Sequence, residues 1–432
     1  MKYGILFNKS NMNIGDDIQA YATERFLPRI DCFIDREHID SFESENGEPV
    51  AVIMNAWYMW QKWNWPPSKY IYPLMTGFHY ADHQLARQWY GTPLKYEFLE
   101  GIGGDYLNAY GPVGCRDMFT MNNLSRIGVN AFFSGCITMT LPRMPERNDK
   151  GNYVCLVDVA KKAREQLHGV LDGKIEVREI SHLRERDETL PWDKRREIVE
   201  ELLTVYQNAR CVVTKRLHCA LPCLAMGVPV LLVRGNEDDT RFEPYYDFLY
   251  HYSVDEIARG EYSYDFLNPP ANREDFLPYR EKLIARIREF VETASKETGT
   301  ADELKKTTYT EQEVTQWRHD VMKKALELWF EDDHRKHEKE VEIKRELKEQ
   351  KLKYKQRGEK INELKGKVSA LKEKNSSYKE KLSARNEKIS KLKNKNAALT
   401  EKLNTTEKEL EQLRNESIFK TIRRKMRRNK SK

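Results

Sequence analysis

Between Cys211 and Val233 the chain reads CVVTKRLHCALPCLAMGVPVLLV. A short apolar run, predicted as a strand, delivers Thr214, Lys215, Arg216 and His218 to a turn, and a helix is predicted straight after. Cations beside the free N–H groups of a helix N-terminus make an anion site. An imidazole at that turn exchanges a proton near neutral pH. Leu217, Leu221 and Leu224 read as core, but Lys215, Arg216 and His218 cannot all be buried cheaply. The nearby thiols of Cys219 and Cys223 supply two soft ligands on one helical turn with no second cluster, so buried free cysteines are expected rather than a metal.

Three further stretches carry chemistry. In GPVGCRD (111–117) the glycines allow close backbone approach, and Arg116 offers a two-pronged fork for carboxylate or phosphate; the Arg116–Asp117 pair reads equally as a helix cap. In NKSNMNIGDD (8–17) Gly15 stands at a helix start where it could cradle a ligand. Asp16 or Asp17 either orients sugar hydroxyls or caps that helix. The run NAWYMWQKWNW (55–65) opens with Asn55 and Trp57 and holds four of the eight tryptophans. Such rings stack on the apolar faces of sugars or pack in a core. Asp158, at the end of YVCLV, sits where cleft residues sit and is a candidate acid or base.

The elements that position these residues alternate. Strands are expected at 2–7, 50–54, 131–134, 153–157, 175–180, 211–213 and 229–233, and at 70–79 with a break at Pro73. Helices are expected at 16–26, 117–127, 160–168, 192–208 and 219–226. Residues 101–114 hold five glycines and one proline and read as loop around a short strand. The polar, breaker-rich PRMPERNDKG (142–151) reads as a linker. The outline is α/β: an N-terminal α/β domain at 1–145, a C-terminal one at 151–272, and a helical linker or cover at 273–330. Ligands in such folds bind outside the carboxyl ends of the strands.

The formal charge of +6 over 432 residues is the sum of two unlike parts. Residues 331–432 carry a net +15, and the rest carries −9. The longest strongly apolar run, Cys223 to Val233, is about half of the ~20 residues that span a bilayer. Seven cysteines without a CxxC pair fit a reducing compartment. From Leu347 to Leu410 apolar residues recur every seven positions, interrupted by Asn375 and Asn396. A second series runs from Leu364 to Leu413. These heptads predict a parallel coiled coil at 340–416, and asparagine at two a positions favours a dimer. About 70 heptad residues would make a rod of roughly 100 Å. After it, residues 417–432 form a basic tail in which Ile418, Phe419, Ile422 and Met426 share one helical face. That pattern suits an anionic membrane surface, and no nucleic acid partner is expected.

Five segments in order, NIGDDIQAYATERFLP (13–28), VIMNAWYM (52–59), GPVGCRD (111–117), FFSGCITMTLP (132–142) and TKRLHCALPCLAMGVPV (214–230), resemble the polysaccharide pyruvyl transferase family over roughly residues 1–260. The resemblance departs at Ala56, where a glycine is common, and at Lys215, which precedes the Arg-Leu-His run. It implies two Rossmann-like domains similar to glycosyltransferase type B. It also implies transfer of pyruvate from phosphoenolpyruvate to two hydroxyls of one sugar, as a cyclic ketal, with release of phosphate. The family's histidine falls on His218 and its arginine on Arg116. Arg116, Lys215 and Arg216 would bind the donor's two anionic ends. His218 and an acidic residue (Asp158, Asp16 or Asp17) would exchange protons. No cofactor or metal is required, since arginines can neutralise the phosphate. The expected partners are a glycan acceptor, free or lipid-linked, a second copy of the chain, and the cytoplasmic face of a membrane. A nucleotide-sugar glycosyltransferase of the same fold and a non-catalytic tethered scaffold are the rival readings.

Overall fold

The computed structural model describes residues 1–9, 12–59, 63–81, 95–145, 152–185, 187–235, 241–368 and 375–415. They divide into two units, Met1–Leu326 and Glu327–Lys432. The first is mixed α/β and, among the described residues, contains two larger parallel sheets and one parallel pair.

The N-terminal sheet joins β1 (Lys2–Phe7), β2 (Cys32–Asp35), β3 (Val50–Ile53) and β4 (Ile71–Leu74) in the order β2-β1-β3-β4. Every pairing is parallel. Pro73 does not break β4: it lies in the strand opposite Val52, on the sheet's edge, where a missing N–H is tolerated. A further parallel pair, β5 (Val113–Cys115) and β6 (Ala131–Phe133), adjoins this region through a bridge between Phe78 and Cys115.

α1 (Ile14–Glu24) follows β1. Its N-cap is Asn13, whose side chain accepts from the Gly15 N–H, and not Asp16 or Asp17, which fall in the first turn. There their charge complements the helix dipole. Ile14, Ile18 and Ala22, spaced by four, turn inward and are buried.

The segment expected to be glycine-rich loop is largely helical. α2 (Lys95–Phe98) leads into α3 (Gly101–Ala109). Its glycines serve close packing instead of turn-making: a Cβ on Gly103 would lie 1.9 Å from the Glu97 carbonyl oxygen, and one on Gly104 2.7 Å from that of Leu99. Trp65 fills the adjoining space, donating from Nε1 to the Gly103 carbonyl at 3.1 Å and packing among Tyr58, Phe78, Phe98 and Tyr106. α4 (Met118–Arg126) is capped by Asp117.

The second sheet joins β7 (Tyr153–Val157), β8 (Glu176–Ile180), β9 (Cys211–Thr214), β10 (Val230–Arg234) and β11 (Tyr250–Ser253), all parallel, in the order β11-β10-β9-β7-β8. α5 (Lys161–Leu171), α6 (Trp192–Asn208), α7 (Leu217–Met226) and α8 (Val254–Arg259) intervene. β11 and α8 carry no strong sequence pattern: β11 is half-buried throughout, on a sheet edge. α7 is apolar on nearly every side and closes on Gly227 in the left-handed region at φ 71°.

One apolar cluster joins the two halves of this unit. It holds Ile18 and Ala22 of α1, Val199 and Leu203 of α6, and Leu221 and Leu224 of α7. Each fully buried Leu or Ile there contributes roughly 1.5–3 kcal/mol.

α9 (Leu277–Lys296), α10 (Ala301–Leu304) and the start of α11 (Glu311–Val368) complete the first unit. Arg318 on α11 donates to the carbonyls of Trp65 and Pro66, both at 3.1 Å, and pairs with Asp40 at 3.3 Å. The second unit is helical: the rest of α11, and α12 (Asn375–Asn415), cover most of the heptad region. Among the described residues no helix is long and apolar enough to cross a membrane. The basic stretch from Ile418 onward lies outside the described residues.

Glu97, buried close to Arg318, has its carboxyl pushed up to about 8 by burial, against the lowering charge of that arginine. The unfolded chain gives up this proton near 4.5, while the fold keeps it until about 8. This group's share of stability is therefore complete below 4.5 and is lost as pH rises to 8. Glu97→Gln should flatten the fall in Tm between pH 5 and 8 and raise Tm at pH 8, measured by thermal unfolding; an unchanged pH profile would refute the assignment.

Candidate active site

In the second sheet the strand order reverses between β7 and β9, so a crevice opens beyond their carboxyl ends. Asp158 follows β7 there, at φ 50°. Its Oδ2 accepts from Arg216 Nε at 2.6 Å and from the His182 N–H at 3.1 Å; its Oδ1 accepts from Ser181 Oγ at 2.8 Å. Burial alone would raise its pKa, but these donors outweigh burial and hold the carboxyl below the usual aspartate value. A carboxylate held ionised in this way orients a cation better than it gives up a proton. Arg216 is the N-cap residue of α7, and its N–H donates to Thr214 Oγ1 at 2.9 Å. No side chain caps that helix end, so its dipole faces the crevice uncompensated. Lys215 is exposed beside it.

His218 sits in the first turn of α7, against α1. The contact requires glycine at 15: a Cβ there would lie 2.8 Å from His218 Nδ1 and 3.1 Å from its Cβ. His218 Nδ1 faces Gln19 Nε2 at 3.5 Å, and its Nε2 is buried with no hydrogen-bond partner among the described residues. Burial, then the charges of Arg116, His182, Arg241 and Arg36, push its pKa well below the ordinary imidazole value. The ring is thus neutral at physiological pH.

Arg116 is buried, and its Nε also has no hydrogen-bond partner. Its backbone is fixed from both sides: its N–H donates to the Phe78 carbonyl at 2.9 Å, and its carbonyl accepts from Tyr245 Oη at 2.7 Å. Next to it, Asp117 accepts from His79 Nδ1 at 2.6 Å and from the Thr120 N–H at 2.8 Å. Burial and the Arg116 charge lower His79 to about 4, against the raising effect of Asp117, so this contact is a hydrogen bond from a neutral imidazole.

The N-terminal sheet has its own reversal, between β1 and β3. A cleft of about 310 Å³, counting its open mouth, lies at those carboxyl ends, with Asn8, Asp16, Gln19, Arg36, Asn55 and Ala56 on its walls. Asp16 bridges Arg36 Nη1 at 3.0 Å and Gln19 Nε2 at 3.1 Å. Arg36 also bonds Glu37 at 2.9 Å. Asn55 is buried, with its carboxamide occupied by Gln19 and by the Ile137 N–H, both at 2.9 Å.

The fold thus gathers Gly15, Asp16, Asn55, Arg116, Asp158, Arg216 and His218 around two crevices. Asp17 and Trp57 point elsewhere. Asp17 is buried and paired with Arg184 and, at 3.4 Å, with Arg195, which ties α1 to the second half of the unit. Trp57 is half-buried on the aromatic core and donates to Met59 Sδ at 3.0 Å. Trp65, from the same tryptophan-rich run, is wholly core, and Trp60 lies outside the described residues. Gln19, Arg36, His79, His182 and Arg241 are participants that the sequence reading did not single out. Only Gln19 carried a local signal, since it lies one helical turn after Gly15 and so shares its face. Among the described residues no group of three or more His, Cys, Asp or Glu side chains is placed to hold a metal ion.

A family model described as polysaccharide pyruvyl transferase matches residues 13–237, just over half of the chain. Comparison with curated proteins found no match. Among solved structures, a functionally uncharacterised protein from Klebsiella pneumoniae subsp. pneumoniae NTUH-K2044 aligns at 14% identity over 56% of this chain and 88% of its own, with a TM-score of 0.32.

The αL backbone at Asp158 suits asparagine as well as aspartate, so Asp158→Asn isolates the charge. The substitution should cost roughly 1–3 kcal/mol at pH 7, the worth of hydrogen bonds to a charged group. Because the native carboxyl is depressed, its contribution is present above the unfolded value of 3.8 and lost as pH falls through the lower folded value. Denaturant titration should therefore show the deficit at pH 7 and its shrinkage toward pH 3.

Proposed function

Since the chain belongs to the polysaccharide pyruvyl transferase family and is a transferase, we infer that it moves pyruvate from phosphoenolpyruvate to two hydroxyls of one sugar in an envelope, capsule or exopolysaccharide glycan. The product is a cyclic ketal, and phosphate is released. The observation that carries this reading is the pair of buried, unpartnered donors, Arg116 Nε and His218 Nε2, beside the uncapped start of α7. Such a site suits a small ligand with several negative charges, and phosphoenolpyruvate has a carboxylate at one end and a phosphate at the other.

In the proposed reaction the enol is protonated at its methylene carbon, which leaves an oxocarbenium-like centre at the neighbouring carbon. One sugar hydroxyl adds there and loses its proton. The second hydroxyl then displaces phosphate, and its proton leaves with the phosphate. Arg116, Arg216 and Lys215 bind the anionic ends, Asp158 holds Arg216 in place, and His218 meets the reacting atoms. Asp16 and Asn55 border the cleft proposed for the acceptor, which is either free or lipid-linked. The two reversal points, one per sheet, support a glycosyltransferase-B-like arrangement with donor and acceptor crevices.

The heptads of α11 and α12 support dimerisation through a parallel coiled coil, and the tail from Ile418 supports attachment to the cytoplasmic face of a membrane.

Thermal shift and calorimetry with phosphoenolpyruvate against a panel of nucleotide sugars test the donor. Stabilisation by phosphoenolpyruvate, lost in Arg216→Ala, is expected. Stabilisation by a nucleotide sugar alone would move the chain to the glycosyltransferases. His218→Ala should fold with near-native Tm and lose turnover by at least ~100-fold; an active variant would remove His218 from the chemistry. Deleting residues 418–432 should abolish sedimentation with phosphatidylserine vesicles and leave activity on a soluble acceptor intact. Unchanged sedimentation would rule out the tail as the anchor.

A further inference from the structure

The hydrogen-bond polarity around His218 can be followed from a group whose role is fixed. A backbone N–H can only donate. The Ile137 N–H points at Asn55 Oδ1 at 2.9 Å, so that atom is the carbonyl oxygen of the side-chain amide. The other end of the amide, Nδ2, must then donate, and its partner at 2.9 Å is Gln19 Oε1. This in turn makes the atom of Gln19 that faces the imidazole its NH2 group, 3.5 Å from His218 Nδ1. The same nitrogen donates to Asp16 Oδ1 at 3.1 Å and lies 3.4 Å from the Gly15 carbonyl, both obligatory acceptors, which agrees with that orientation; its second hydrogen is shared between that carbonyl and the ring nitrogen. Two independent acceptors and one fixed donor thus define the direction of the whole chain.

An NH2 group beside a neutral imidazole tolerates the bare ring nitrogen and opposes the protonated one. We propose that Asn55 and Gln19 act as positioning residues that fix His218 in the tautomer with Nδ1 bare and the proton on Nε2, so that His218 serves the reaction as a neutral hydrogen-bond donor and not as a proton acceptor. Nε2 is the nitrogen that is buried and, among the described residues, without a partner, so in this tautomer its N–H is a donor left over for a ligand oxygen. The cations around the ring disfavour a second proton, which agrees with a neutral donor. Neutral histidines whose pKa is lowered in this way are known to polarise oxygen atoms in other enzymes. Here the acceptor would be an oxygen of an anionic ligand, the phosphate or carboxylate of an enol phosphate. The protons of the two attacking hydroxyls would have to leave by another route.

Two glycines make the arrangement possible. A Cβ on Gly77 would lie 1.7 Å from Asn55 Oδ1, and Gly77 has a φ of 58°, so no other residue admits the Asn55 amide without strain. Gly15 does the same for the His218 ring. The relay therefore runs from the turn at Ile137, through the end of β3 and the buried face of α1, to the first turn of α7.

This inference rests on the proposed function only for the identity of the ligand; the tautomer can be measured without one. The experiment is two-bond proton–nitrogen correlation NMR on the full chain with ¹⁵N-labelled histidine, with His218 assigned by His218→Gln. Between pH 6 and 8 the wild-type protein should show a protonated Nε2 and a bare Nδ1. A proton on Nδ1, or a fully charged ring, would overturn the proposal, whatever the variants do. Gln19→Met, which keeps the length and removes the amide, should let the second tautomer appear; an unchanged, pure Nε2–H signal would show that Gln19 is not what sets it. Adding phosphoenolpyruvate separates the two readings. Failure to perturb His218 Nε2 while the tautomer stands would count against the donor and leave the relay intact. In turnover assays referred to the folded fraction read by circular dichroism, Gln19→Met should lower kcat about tenfold with little change in the donor's KM, where a general loss of folding would lower kcat only in proportion to that fraction.

Discussion

His218 of α7 lies against Gly15 of α1 so closely that the space a Cβ would occupy on residue 15 is taken by the imidazole. α1 follows the first strand of one sheet, and α7 follows the third strand of the other, so this contact is where the two halves of the first unit meet at the candidate site. Much of the surrounding structure holds it. The Ile14 N–H donates to the His182 carbonyl at 2.9 Å, and the Arg184 N–H donates to the Met12 carbonyl at 2.7 Å. Arg195 closes the same region by donating to the carbonyls of Asn8 and Lys9 and to Asp17. These bonds hold the loop before α1 to the segment after β8. Without them the N-terminus of α1 would have no fixed place from which to meet His218.

The charge arrangement follows from the same constraint. The first 330 residues are acidic overall, yet the carboxylates nearest the site are paired: Asp16 with Arg36, Asp17 with Arg184 and Arg195, Asp158 with Arg216. Asp117 is occupied by His79 and Thr120. What is left without a carboxylate partner is therefore the start of α7 and, among the described residues, Arg116 Nε and His218 Nε2. A site assembled in advance in this way needs little reorganisation when negative charge arrives.

The sequence makes the second sheet readable and the first only partly so. β7 and α6 fall on their expected residues, because continuous apolar runs and a clear 3.6-residue period report local burial directly. Arg116 and Arg216 stand just past β5 and β9, where a cation is costly unless it is paired, and His218 opens α7 beside Arg216, which is why these three are legible as candidates. Residues 101–109 form a helix against the expectation of a loop, because glycine's usual role as a breaker does not apply there. In the fold its missing side chain lets α3 press on the Glu97 carbonyl, a long-range cause that no local pattern contains. The cap of α1 was misplaced by a few residues for a related reason. Four cap-favouring residues, Asn13, Gly15, Asp16 and Asp17, crowd 13–17, and only the backbone angle at Asn13 selects among them. His79 and His182 are separated from the motifs by twenty or more residues and Arg241 by eleven, and nothing local distinguishes them.

Both sheets are open, which leaves unpaired backbone at their margins, and the charge on one of those margins has a consequence for behaviour at high concentration. β8 carries Glu176, Arg178 and Glu179. Arg178 is clasped to Glu176 at 2.6 Å, and Glu179 is shared by Arg164 and His168. On the far side of the other sheet, β4 carries Pro73, which has no N–H to offer. A strand from a neighbouring molecule would have to strip water and counter-charges from the first margin, and would find a missing donor on the second. Copies of the chain crowded side by side would thus resist the edge-to-edge stacking that turns exposed β-structure into aggregates.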